Sequence, residues 1–127
     1  MLTERRAHTT IPASDVERAV RWYEEKLGFK PRRRLEGAAL YEAAGGGRFV
    51  LYPTSNAGKA PQTVIGFTTP NIETEVRELK ARGVVFEEYD YPTLKTVGSI
   101  ATTGSIRAAW FRDSEGNIVG IAQVPEW

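Results

Sequence analysis

The chain of 127 residues carries one histidine, His8, and no cysteine. An imidazole of ordinary pKa about 6.5 is suited to proton transfer near neutral pH, to metal ligation, or to hydrogen bonding with a ligand's phenol or carbonyl. A cage of several histidines or thiolates cannot form within one such chain, and a disulfide or a cysteine nucleophile is excluded. Any metal would have to take carboxylate, amide or partner-chain donors beside His8. No carboxylate accompanies His8 in the sequence or in the expected strand pairing, so a Ser-His-Asp relay is not assembled either.

Two further clusters could carry chemistry. Arg32-Arg33-Arg34 lies on an expected strand, where alternation must turn at least one guanidinium away from its neighbours. Such a run either solvates an edge strand and protects it from aggregation or reads a phosphate or carboxylate; the solvated edge is favoured. Gly45-Gly46-Gly47 does not lead from a strand into a helix, so it reads as a hairpin and not as a phosphate-binding loop. Tyr41, Phe49, Tyr52, Phe67 and Trp110 fall on expected strands, where rings can pack in a core or stack on a conjugated ligand.

The elements that position these residues are written twice. A β-branched stretch, residues 7–12, ends at Ser14-Asp15-Val16-Glu17, the pattern of a capping box, so a helix is expected from Asp15. Val16, Ala19, Val20, Tyr23 and Leu27 form its apolar stripe, and Gly28 its left-handed stop. Extended stretches follow at 30–36, 38–43 and 48–54. The order begins again with Thr63 to Thr69, an Asn71 cap, a helical stripe of Ile72, Val76 and Leu79, and Gly83 as stop. Val84 to Tyr89, Ile106 to Arg112 and Asn117 to Val124 read as strands, with Asp113-Ser114-Glu115-Gly116 as a tight turn. Gly116-Asn117-Ile118-Val119 echoes Gly47-Arg48-Phe49-Val50, so the chain reads as a duplicated βαβββ unit, module one at about 7–54 and module two at about 62–124. Pro92 to Ser105 reads as a polar insertion, a loop able to gate a cavity.

Composition agrees with one α+β domain, with hydrophobic residues at 41% and charged residues at 26% of the chain. Seventeen basic against sixteen acidic residues give a net charge of +1, which argues against nucleic acid and against an anionic membrane surface as partners. The opening MLTERRAHTTIP lacks the apolar stretch of a secretory signal, so a cytoplasmic location is expected.

His8 to Asp15, Trp22-Tyr23 through Leu27-Gly28-Phe29, and Trp110-Phe111-Arg112-Asp113-Ser114-Glu115-Gly116-Asn117 together resemble the vicinal oxygen chelate superfamily of glyoxalases, bleomycin-resistance proteins and extradiol dioxygenases. Ser114 stands where that group usually has proline. The resemblance implies a curled mixed sheet made from both modules, helices on its convex face, a ligand cavity on its concave face, and a homodimer. It also implies four positions that hold a metal in metal-using members. His8 matches the first-strand histidine; counted from the turn glycines, the others fall at Leu51, at Val64 or Ile65, and at Gly120, none of which has a donor side chain. Glu42, Gln62 or Gln123 could serve only if the register differs.

A metal-independent protein that binds a hydrophobic or aromatic small molecule is therefore expected, with antibiotic sequestration as its role. His8, Phe49, Leu51, Trp110 and Gly120 are expected to line the cavity, with no metal and no cofactor. The alternatives are a divalent-metal lyase, isomerase or dioxygenase built on His8, or a cofactor-free enzyme with His8 or Glu42 as general base.

Overall fold

Strand β1 (Thr9–Ala13) leads into helix α1 (Val16–Trp22), which continues as a π turn over Tyr23–Leu27 and stops at Gly28 in the left-handed conformation. Strands β2 (Arg33–Leu35), β3 (Ala38–Glu42) and β4 (Arg48–Pro53) complete the first sheet, in the order β1-β4-β3-β2 with β1 parallel to β4. The second unit runs β5 (Thr63–Thr68), α2 (Ile72–Ala81), β6 (Asp90–Tyr91), β7 (Leu94–Val97), β8 (Ile100–Thr103), β9 (Ile106–Arg112) and β10 (Ile118–Gln123). Its order is β5-β10-β9-β8-β7-β6, again with the first strand parallel to the last. This is a computed structural model and describes residues 1–125. The architecture is α+β, two helices on two mixed sheets, and β1 lies beside β5 without sharing a ladder.

Both helices lie on the same side. Ile11, Ala13, Ala19, Tyr23, Tyr41, Phe49 and Leu51 are buried beneath α1, and Ile72, Val76, Ala109, Phe111, Val119 and Ile121 beneath α2. Trp22, Leu27, Ile65 and Phe67 pack against both groups and merge them into one apolar layer. Each large side chain removed from water there contributes about 2 kcal/mol, which is what holds helices this short in place.

Two local expectations change. The capping box does not form: Asp15 is the α1 cap, its carboxylate accepting from the Arg18 amide at 3.0 Å, while Ser14 donates to Glu115 and Glu17 pairs with Arg34. Asn71 caps α2 as expected, accepting from the Thr74 amide at 3.1 Å. The segment 92–105 is no gating loop, because it supplies β7 and β8. Glu88 organises it, accepting from the Thr96 hydroxyl at 2.7 Å and the Ser99 hydroxyl at 2.6 Å. In sheet order β8 beside β9 occupies the place that β2 holds beside β3, whereas Val84 to Tyr89 contributes only a bridge from Phe86 to Phe111.

The turn 113–117 ties the modules together. The Tyr23 hydroxyl donates to Asp113 Oδ2 at 2.7 Å and Asn117 Nδ2 donates to the Pro12 carbonyl at 2.8 Å. Glu115, its side chain fully covered, accepts from the Asp15 amide at 2.9 Å, from Ser14 at 3.1 Å and from Arg18 Nε at 2.9 Å. Burial alone would raise the Glu115 pKa; the Arg18 guanidinium, the Asp15 amide and the two serine hydroxyls outweigh it and bring it down to about 2.

Candidate functional site

Strand register decides which residues leave the helix side. On the first sheet, Thr9, Phe49 and Tyr41 form one cross-strand row, and burial of Phe49 and Tyr41 places that row under α1. Alternation puts the next row, Thr10, Val50, Leu40 and Arg33, on the open face. On the second sheet Phe67, Ile121 and Ala109 form a row that meets the helix layer, and Gly66, Gly120 and Trp110 a row on the open face.

The five expected cavity residues do not converge. Leu51 is fully buried beneath α1, and Phe49 is also core, stacked on Tyr41 with ring centres 4.6 Å apart. His8 and Phe49 line one cavity, and neither that cavity nor a second one on the helix side is lined by Leu51, Trp110 or Gly120. The turn glycines explain the displacement of Leu51. Gly116 has φ +86°, and its counterpart is Gly46, at +81°, because the Ala43 amide donates to Gly47 O as the Asp113 amide donates to Asn117 O. Gly47 is thus the partner of Asn117, the count shifts by one, and Val50 is the equivalent of Gly120.

With register corrected, the family's four metal positions map to His8, Val50, Val64 and Gly120. Only His8 has a donor side chain, and among the described residues no three of His, Cys, Asp and Glu cluster. Four of the five charged side chains sharing a cavity with His8 are guanidiniums, which repel a divalent cation. The residues present do not fit a metal.

Two features on the open side remain. The first is aromatic. The indole of Trp110 lies over Gly120, where an added β-carbon would stand 3.4 Å from the ring, and Tyr89 packs edge-on to the indole at 5.7 Å between centres. Tyr91, well exposed, continues the group 6.0 Å beyond Tyr89. Burial is the first cause that raises the Tyr89 pKa above that of a free phenol. The sequence does not single out Tyr89, because its place depends on partners far along the chain: Phe86 and Glu87 pair with β9, and Tyr89 bonds with Thr96 on β7, which sets it beside Trp110.

The second is a cavity of about 540 Å³ at the edge of the first sheet, lined by His8, Arg6, Arg32, Arg33, Arg48 and Glu42, with Leu40 and Val50 as apolar wall. Tyr41 and Phe49 also reach it, although both belong to the core. Glu42 Oε1 lies 2.5 Å from Arg32 and 3.0 Å from Arg48, and the Arg32 hydrogen bond is the main reason its pKa is lowered. Arg34 leaves this group for the helix side, where it pairs with Glu17 and donates to the Ala38 carbonyl. A smaller cavity of about 240 Å³ lies on the helix side among Leu27, Phe29, Phe67, Leu79 and Phe111.

No helix among the described residues is long and apolar enough to cross a membrane. A family model described as Glyoxalase/Bleomycin resistance protein/Dioxygenase superfamily matches residues 5–121. No curated protein matches the chain. Solved structures share the fold at low identity. A glyoxalase/bleomycin resistance protein from Catenulispora acidiphila DSM 44928 is 17% identical with a TM-score of 0.68, over 94% of this chain and 98% of that one. TnmS3, described as an antibiotic binding protein from Streptomyces sp. CB03234, is 22% identical with a TM-score of 0.64, over 94% and 98%. A lactoylglutathione lyase from Agrobacterium tumefaciens is 19% identical with a TM-score of 0.63, over 94% and 93%. Two units that each run strand, helix, strands with the first strand parallel to the last, helices on one side and a family match across nearly the whole chain lead to one conclusion: the protein belongs to the glyoxalase/bleomycin resistance protein/dioxygenase superfamily.

Proposed function

We propose that this protein binds a flat hydrophobic or aromatic small molecule without a metal, and that its role is to sequester an antibiotic in the cytoplasm as a homodimer. One observation carries the reading: at Gly120, where metal-using relatives place a carboxylate, there is no donor side chain and the Trp110 indole packs beside the bare backbone. A ring in that place offers stacking area and no charge to hold an ion. Tyr89 and Tyr91 extend the same surface. Aromatic pairs of this kind each add about 1 kcal/mol beyond area burial. The likeness to TnmS3, an antibiotic binding protein, supports the ligand class, while the lactoylglutathione lyase keeps the enzymatic alternative in the same superfamily.

The test is a titration of chelator-treated protein with planar conjugated natural products, read by tryptophan fluorescence. Saturable binding is expected with and without chelator, and Trp110→Ala should weaken it about tenfold. A stoichiometric metal in the purified protein that is lost on His8→Ala would overturn the reading in favour of a metal-dependent enzyme.

A further inference from the structure

The cavity around His8 is separate from the Trp110 surface and has a different chemistry. Four guanidiniums, those of Arg6, Arg32, Arg33 and Arg48, line it together with one carboxylate, Glu42. That carboxylate is already shared, with Arg32 and Arg48 meeting the same oxygen, Oε1. Among the described residues, Arg6 and Arg33 pair with no carboxylate. Glu42 thus draws two guanidiniums together, in the way a bound oxyanion would, and leaves the cavity with more positive than negative charge. Leu40 and Val50, facing each other across β3 and β4, give it an apolar side, and its volume falls in the range of small-molecule sites.

We propose that this cavity binds an amphipathic organic acid, its carboxylate or phosphate held by Arg33, Arg48 and Arg6 and its apolar body laid on Leu40 and Val50. His8 at the rim donates or accepts a hydrogen bond to the acid's polar substituent. Glu42 is the internal competitor for the same guanidiniums. The site stands whether or not the Trp110 surface binds an aromatic ligand.

The experiment compares 2-naphthoate, 2-naphthyl phosphate, the neutral 2-naphthamide and inorganic phosphate by calorimetry on the full chain. At least one naphthalene acid is expected to bind about tenfold or more tightly than the amide, and the advantage should shrink as salt rises to about 0.3 M. The tighter acid identifies carboxylate or phosphate as the group read. Arg33→Gln and Arg48→Gln should each weaken acid binding about fivefold and leave the amide unchanged, since each removes one charge-assisted contact. Glu42→Gln should tighten acid binding severalfold, whereas a merely structural Glu42 would loosen it. Trp110→Ala should have no effect, which separates this site from the one proposed above. Equal affinity for acid and amide would overturn the proposal. So would inorganic phosphate binding as tightly as either naphthalene acid, unchanged acid affinity in both arginine variants, or failure of Glu42→Gln to strengthen binding.

Discussion

The indole of Trp110 packs against Gly120, its cross-strand partner on β10, so that a β-carbon at that position would stand between the ring and the Thr63 methyl. A β-carbon there would meet the Thr63 methyl at 3.2 Å and the indole at 3.4 Å. Gly120→Ala should therefore cost about 1 kcal/mol of stability through overpacking. It should also shift the tryptophan emission and weaken aromatic-ligand binding, whereas an unchanged spectrum would show that the ring does not rest on Gly120.

Glu115 makes stability depend on acid. Its carboxyl falls from the ordinary 4.5 to about 2 in the folded protein, so its contribution is complete above about pH 4.5 and is lost as the pH falls towards about 2. The shift corresponds to roughly 3 kcal/mol at neutral pH. Glu115→Gln should lower the urea midpoint clearly at neutral pH, and the gap between variant and parent should narrow steadily below about pH 4.5. A gap independent of pH would remove the ion pair with Arg18 as its cause.

Tyr23 and Asp113 join α1 to the last hairpin. Tyr23→Phe removes a hydrogen bond of 2.7 Å to a carboxylate but leaves Asp113 Oδ2 its bond from Asn117. A loss of about 2 kcal/mol is therefore expected in chemical denaturation. Burial first, and Asp113 beside it, push the Tyr23 phenol well above its ordinary 10. Its contribution is thus present below about pH 10 and lost as the pH rises beyond it, and the phenylalanine variant should be less sensitive to alkali.

Gly58 is the strictest backbone position. It has φ +75°, its amide donates to Asn117 Oδ1 at 3.2 Å, and an added β-carbon would stand 2.5 Å from the Glu115 carbonyl oxygen. Gly58→Ala must shift one of two backbones and should cost about 3 kcal/mol or more, visible as a lower melting temperature.

Both helices, the paired modules and the stops at Gly28 and Gly83 were legible in the sequence, because apolar spacing and left-handed glycines are local signals. The α1 cap was displaced by a distant residue: Ser14 has its hydroxyl drawn to Glu115, a partner that no local pattern reveals. The strands β7 and β8 were hidden because Thr and Ser on an extended hairpin look like loop composition until Glu88 is seen to accept from Thr96 and Ser99. At the candidate site, strand alternation correctly set Phe49 with Leu51, but it cannot say which side of the sheet a pair faces. Only the backbone conformation of Gly46 and Gly47 fixes that alignment.

The lock made by Glu115 ties the start of α1 to the far end of the chain. Asp15 and Glu115 are separated by 100 residues, so beyond its own Asp15 cap the first helix start takes its anchor from the final hairpin. A chain that lacked the hairpin would lack every one of these bonds, so neither unit holds its full set of contacts without the other.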